Sequence, residues 1–170
     1  MALDIESIKS KITEWLIEEG FEVKKMPVPP KAKLRWGLEA LTPPPIRIKL
    51  NILSIPQRDD VVFFRLPVSL SDTHQKAYSK LDKQERIRLY FELYRSLLTM
   101  CPKCHVILAP NPTDLKNIMV SRMLFLDNVT RQSLSDTMTM LMNSFIVISA
   151  VLNANLSHQA PESAGLTMHI

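Results

Sequence analysis

The chain has 170 residues, of which 46% are hydrophobic and 22% charged, and a formal net charge of +4. That length buries a sizeable core and that balance excludes a disordered chain, while two cysteines make no disulfide framework. The only glycines are Gly20, Gly37 and Gly165, which excludes the glycine-rich phosphate loops of dinucleotide and Walker type, whose backbones need glycine to approach a phosphate.

Asp4 to Glu19 reads as the first helix. Ile5, Ile8, Ile12, Trp15 and Leu16 recur at spacings of three and four and so share one face. Gly20 stands where a left-handed C-terminal cap is wanted. The stretch has no basic region followed by an apolar run, so a signal peptide is not expected and the cytoplasm is the expected location.

From Phe21 to Pro67 the period changes to two. The runs FEVKKM, KLRWGLEAL, IRIKLNILSI and DVVFFRLPV alternate, with Leu34, Trp36, Leu38 and Ala40 on one side of the second and Ile46, Ile48, Leu50 and Ile52 on one side of the third. Pro27, Pro29 and Pro30, then Pro43 to Pro45, Pro56 and Pro67 bound the runs, because proline cannot donate to a ladder. Short strands with short links predict an antiparallel meander of about three strands. The lack of Asn-Gly or Asp-Gly predicts links other than two-residue hairpins.

SLSDTHQKAYSKL is a linking stretch with at most a helical turn. Asp82, with Glu85 three residues on, forms a capping box for a second long helix. On it Ile87, Tyr90, Phe91, Tyr94, Leu97 and Leu98 form one apolar face, and Leu89, Leu93 and Met100 a flanking stripe. Two stripes let one helix serve a core and a partner at once. Pro102 ends this helix, CHVILAP and KNIMVSRMLFL read as strands around an NPTD turn, and Asn128 and Thr130 open a last helix to about Leu152.

These elements predict an α+β fold, a two-layer α/β sandwich with an antiparallel sheet and the order α-β-β-β-α-β-β-α. Residues 1–153 are expected to form a single domain, with 154–170 a C-terminal tail.

Three features carry candidate chemistry. Cys101-Pro-Lys-Cys104-His105 is the first. A thioredoxin-like pair follows a strand and opens a helix, which lowers the thiol pKa; here a helix comes first, and its negative end opposes thiolate formation. Zinc needs four ligands, and beyond Cys101, Cys104 and His105 the chain adds only His74, His158 and His169, without a second paired motif. The bland reading is a seam between helix and strand, with a disulfide or redox role and a metal site as alternatives.

The basic segment 24–49 is the second. Lys24, Lys25, Lys31, Lys33, Arg35, Arg47 and Lys49 stand there against Glu39 alone, and Trp36 beside Arg35 suggests stacking plus phosphate contact. The alternative is a solvated sheet face, with Trp36 turned into the core. The third is the last helix, uncharged from Thr137 to Ser157 and long enough to span a bilayer, but diluted by threonine, serine and asparagine. Met138, Leu141, Met142, Phe145, Ile148 and Leu152 mark it as a buried helix. No HExxH, GxSxG or EF-hand loop is present, and no catalytic residue or cofactor is assigned.

The element order over residues 4–152 resembles that of the type III secretion chaperones. ITEWLIEEGFEV at 12–23 and PPIRIKLNIL at 44–53 are similar to an archaeal family of unknown function that shares this fold. The resemblance implies a small homodimer that binds a protein partner, with the middle helix, 82–100, at the seam and Leu89, Leu93 and Met100 as the candidate dimer-interface residues. The expectation is therefore a non-enzymatic binding or chaperone-like module, homodimeric, cytoplasmic, with no cofactor and no membrane. Nucleic-acid or other polyanion binding through 24–49 and a thiol or metal role at Cys101 and Cys104 are the alternatives.

Overall fold

The structure, a computed structural model, describes residues 4–28 and 31–156. Helix α1 (Ile5–Glu18) is followed by β1 (Glu22–Lys25), β2 (Trp36–Leu41), β3 (Lys49–Ile55) and β4 (Arg58–Ser69). Helices α2 (Asp72–Lys80) and α3 (Lys83–Met100) lead to β5 (His105–Asn111) and β6 (Asp114–Phe125). A short 3-10 turn at Leu126–Asn128 precedes α4 (Arg131–Leu156). The strands form one antiparallel sheet in the order β1-β2-β3-β4-β6-β5, so the α+β sandwich expected from the sequence is the fold observed.

The structure adds detail to the expected order. All four alternating runs form strands, and the linking stretch holds α2, whose N-cap Ser71 accepts a hydrogen bond from the His74 N–H. Strand β4 continues through Pro67, which lies beyond Arg65, the last residue paired with β3; no β3 ladder bond is forfeited there. The β3–β4 link is, against expectation, only Pro56 and Gln57. The pairing shifts register between Leu53 and Ile55, and this irregularity accommodates a tight link without the glycine-bearing turns that ideal hairpins favour. Helix α4 runs to Leu156; the remainder of the expected tail, with His158 and His169, lies outside the described residues, as do Pro29 and Pro30.

Contacts divide the chain into two compact units. The first comprises Met1–Leu66 and Ser121–Thr139. Gly20 takes φ +86°, the Gly20 N–H donates to Ile17 O and the Phe21 N–H to Leu16 O, which is the paired closure that ends a helix in a left-handed residue. Ile8, Ile12 and Leu16 are fully buried, each stabilising by about 2 kcal/mol. The register pairs Trp36 with Ser54, Leu38 with Ile52 and Ala40 with Leu50, and Ile52 with Phe64, which sets these residues on one buried face. Glu39, Lys49, Asn51 and Arg65 fall on the other. Gly37 shares that second face, and a Cβ there would sit 2.8 Å from the Met26 methyl, so glycine is what lets Met26 cover the strand.

The second unit comprises Pro67–Val120 and Met140–Ile170. The Asp82–Glu85 capping box forms as predicted, with both reciprocal bonds present. Leu89, Leu93 and Leu97 of α3 are buried, and α3 packs on β5. The Tyr78 hydroxyl lies 2.9 Å from Arg86 O and 2.6 Å from Pro112 O, and Arg86 Nη1 donates to Thr113 O. These bonds tie α2 and α3 to the β5–β6 turn, itself shaped by the Thr113 N–H and hydroxyl donating to Asn111 Oδ1. Burial pushes the Tyr78 phenol up to about 12.

Candidate functional site

In the second unit, α3 and the later turns of α4 present an apolar surface. Half a turn of α3 separates its two sides. Leu89, Leu93 and Leu97, at i, i+4 and i+8, face inward with exposures of 2%, 0% and 0%. Arg88, Phe91, Tyr94 and Arg95 face outward, and Phe91 is 57% exposed. This corrects the expected assignment. Leu89 and Leu93 belong to the core and are not free for a partner, while of the three candidates Met100 alone is partly exposed. The physical reason is that branched leucines pack on β5, whereas Tyr90, at the margin, can reach the backbone and donates its hydroxyl to Leu108 O.

Phe91 meets Tyr90 edge-to-face at 5.5 Å. With Arg88, Glu92, Tyr94, Arg95 and Leu98 it lines an open cleft of about 740 Å³. A second cleft of about 510 Å³ is lined by Arg95 and Met100 of α3 and by Val147, Ala150 and Val151 of α4. Ile146 on the same stretch of α4 is 53% exposed. From Thr137 to Leu156 this helix carries no charged side chain. Its polar groups are largely turned back on its own backbone: the Thr137, Ser144 and Ser149 hydroxyls donate to the carbonyls four residues earlier, and Asn155 does the same through its amide. The sequence signal was the uncharged run itself. Met138, Leu141, Phe145, Ile148 and Leu152 are buried as expected, but periodicity did not reveal that Ile146 and Ala150 would stay exposed.

The basic segment lies in the first unit, and three of its seven members are neutralised. Lys24 and Arg47 each approach Glu22 at 2.6 Å, and Lys49 approaches Glu39 at 3.3 Å. Hydrogen bonds from Lys24 and then Arg47 hold the Glu22 carboxyl below the usual carboxylate range. Glu22 lies just outside the window 24–49, which is why the local charge looked larger from the sequence. Lys25, Lys31, Lys33 and Arg35 are exposed, with no ion pair among the described residues. Trp36 is 5% exposed and offers no stacking platform.

Cys101 and Cys104 form a disulfide, so in this state neither sulfur is available as a metal ligand. His105, next in the chain, is exposed. Among the described residues no group of three or more histidine, cysteine or acidic side chains could hold a metal ion. His74 is buried, its Nδ1 2.8 Å from Ser71 Oγ and its Nε2 3.4 Å from Asn153 Oδ1, and it serves the start of α2.

A family model described as "Uncharacterized conserved protein (DUF2299)" matches residues 8–152. The crystal structure of an uncharacterized protein from Methanothermobacter thermautotrophicus superimposes with a TM-score of 0.75 at 19% identity, covering 88% of this chain and 99% of that one. Two further structures align at lower TM-scores. YbjN from E. coli gives 0.45 at 14% identity, over 89% of this chain and 93% of that one. The ExsC-ExsE complex gives 0.38 at 8% identity, over 91% and 97%. No curated protein matches the sequence.

Proposed function

We propose that this chain, which belongs to the DUF2299 family, is a non-enzymatic binding module that recognises protein through the α3/α4 face, and first of all a second copy of itself. The observation that carries this reading is a helix without charge from Thr137 to Leu156 whose Ile146 nonetheless stands in solvent, on the stretch that lines a cleft with Arg95 and Met100 of α3. Exposed apolar side chains such as Phe91 and Ile146, with Arg88, Glu92 and Arg95 around the first, support a protein interface.

The rim favours a second copy as the occupant. A two-fold axis requires a self-complementary patch. Antiparallel α3 helices crossing between Leu93 and Tyr94 would set each Glu92 toward the other copy's Arg95, with the two Phe91 rings covered alongside. Charge on that rim argues against lipid as the covering medium.

Sedimentation over a wide concentration range tests this. A reversible dimer is expected, and Ile146→Glu should weaken it by about a hundredfold while leaving the thermal midpoint of the dilute monomer nearly unchanged, since a charge is being desolvated only in the dimer. A chain monomeric at every concentration, or a variant that dimerises normally, rules the face out. Binding of a polyanion to the exposed Lys25, Lys31, Lys33 and Arg35 is the second reading. It would appear as a gel shift that falls steeply with salt.

A further inference from the structure

We propose that the Cys101–Cys104 disulfide is a redox clasp, holding the end of α3 and the adjoining part of α4 in the arrangement that binds, so that a dithiol reductant weakens association. This rests on the reading of the α3/α4 face as a docking surface and adds regulation to it.

The clasp sits where it can act on both helices. Cys101 is the C-cap of α3, and its N–H donates to Leu97 O at 2.9 Å. The Cys104 N–H donates to Cys101 O at 3.0 Å, and β5 begins at the next residue, His105. The covalent bond therefore ties the C-cap of α3 to the residue just before the strand on which α3 packs. Cys101 Sγ lies 3.9 Å from Met140 Sδ on α4. Met100, adjacent in the chain, lines the cleft with Val147, Ala150 and Val151. Freeing residues 101–104 would loosen one wall of that cleft through α3 and the other through the sulfur contact.

The reaction balances with a dithiol as reductant. One of its thiolates attacks Cys104 Sγ, the less buried sulfur at 8% residue exposure against 0% for Cys101. A mixed disulfide forms, and Cys101 Sγ departs with the bond's electron pair and takes a proton from water. The second thiol of the reductant, deprotonated, then attacks its own sulfur in the mixed disulfide and expels Cys104 Sγ, which is protonated in turn. Two electrons pass to the protein, and the reductant ends as a cyclic disulfide. Cys101 is a poor leaving group, because burial and the negative end of α3 both oppose its thiolate. Exchange is therefore slow, which suits a switch and not a turnover catalyst.

The test uses the full chain purified without reductant, before and after treatment with dithiothreitol. Thiol titration should count none before and two after. Reduction should raise the dimer dissociation constant about tenfold and speed amide exchange over residues 97–101 and 140–151. Two free thiols in the untreated protein, or equal dissociation constants in the two states of a chain that does dimerise, overturn the clasp. A chain monomeric in both states removes the docking surface instead, and exchange then decides: faster exchange in both segments keeps the clasp, unchanged exchange ends it. Cys104→Ser should match the reduced protein, and a Cys104→Ser chain indistinguishable from the oxidised one also ends it.

Discussion

Around β1 to β3, Glu22 holds Lys24 and Arg47, and Glu39 holds Lys49. Across α3 and α4, Phe91 and Ile146 stand in solvent, and one of the two helices has no charge for its last twenty residues. The first surface is already satisfied by water and its own counter-charges, so covering it would cost desolvation. The second gains from being covered. Net charge drew attention to the first region, yet the side chains with most to gain from a partner lie in the second.

The sharpest way to break this contrast is to swap inside for outside on α3. Leu93→Ala should cost about 3 kcal/mol of unfolding free energy in urea, because Leu93 is fully buried and its loss leaves a cavity. Phe91→Ala, one half-turn away, should cost under about 1 kcal/mol in the monomer and be felt mainly in association. Equal losses from the two would mean that α3 has no outward side.

Tyr78 tests whether the interior of the second unit is held by polar as well as apolar contacts. Its folded pKa, about 12, lies above the ordinary value of 10. Its contribution is therefore complete below pH 10 and falls away as the pH rises toward 12, because the unfolded chain ionises first. The loss should be on the order of 2 kcal/mol, and Tyr78→Phe should flatten that part of an alkaline stability profile. A profile as steep in the variant as in the parent would remove Tyr78 from the account.

Smaller effects sharpen the first region. Lys49→Ala should cost about 0.5 kcal/mol, as partly exposed pairs do, measured by denaturant midpoint. Ser54→Ala should be neutral within about 0.5 kcal/mol or slightly stabilising, since the Ser54 hydroxyl is buried without a hydrogen-bond partner among the described residues. A loss above about 1 kcal/mol there would indicate a partner for that hydroxyl, such as a bound water.

What the sequence made legible was local. The Gly20 closure, the Asp82–Glu85 box and the alternation of Trp36, Leu38 and Ala40 each depend on neighbours within a few residues. Helix α2 was harder, because SDTHQKAYSK is mostly polar and its signal is the single N-cap Ser71. The Pro56–Gln57 link was missed because a register shift, a property of two strands together, makes it possible. The inward side of α3 was misassigned for a related reason. Both of its stripes have helical spacing, and spacing alone does not say which one packs on β5. Glu22 was missed as the partner of Arg47 because the two are brought together only when β1, β2 and β3 align.

The strand order carries one more consequence. Strand β1 closes one border of the sheet with four residues, two of them Lys24 and Lys25, so a further strand added there would have to bury cationic side chains beside its own backbone. A ladder that resists extension at that border leaves the proposed pairing of α3 helices free of competition from edge-to-edge growth there.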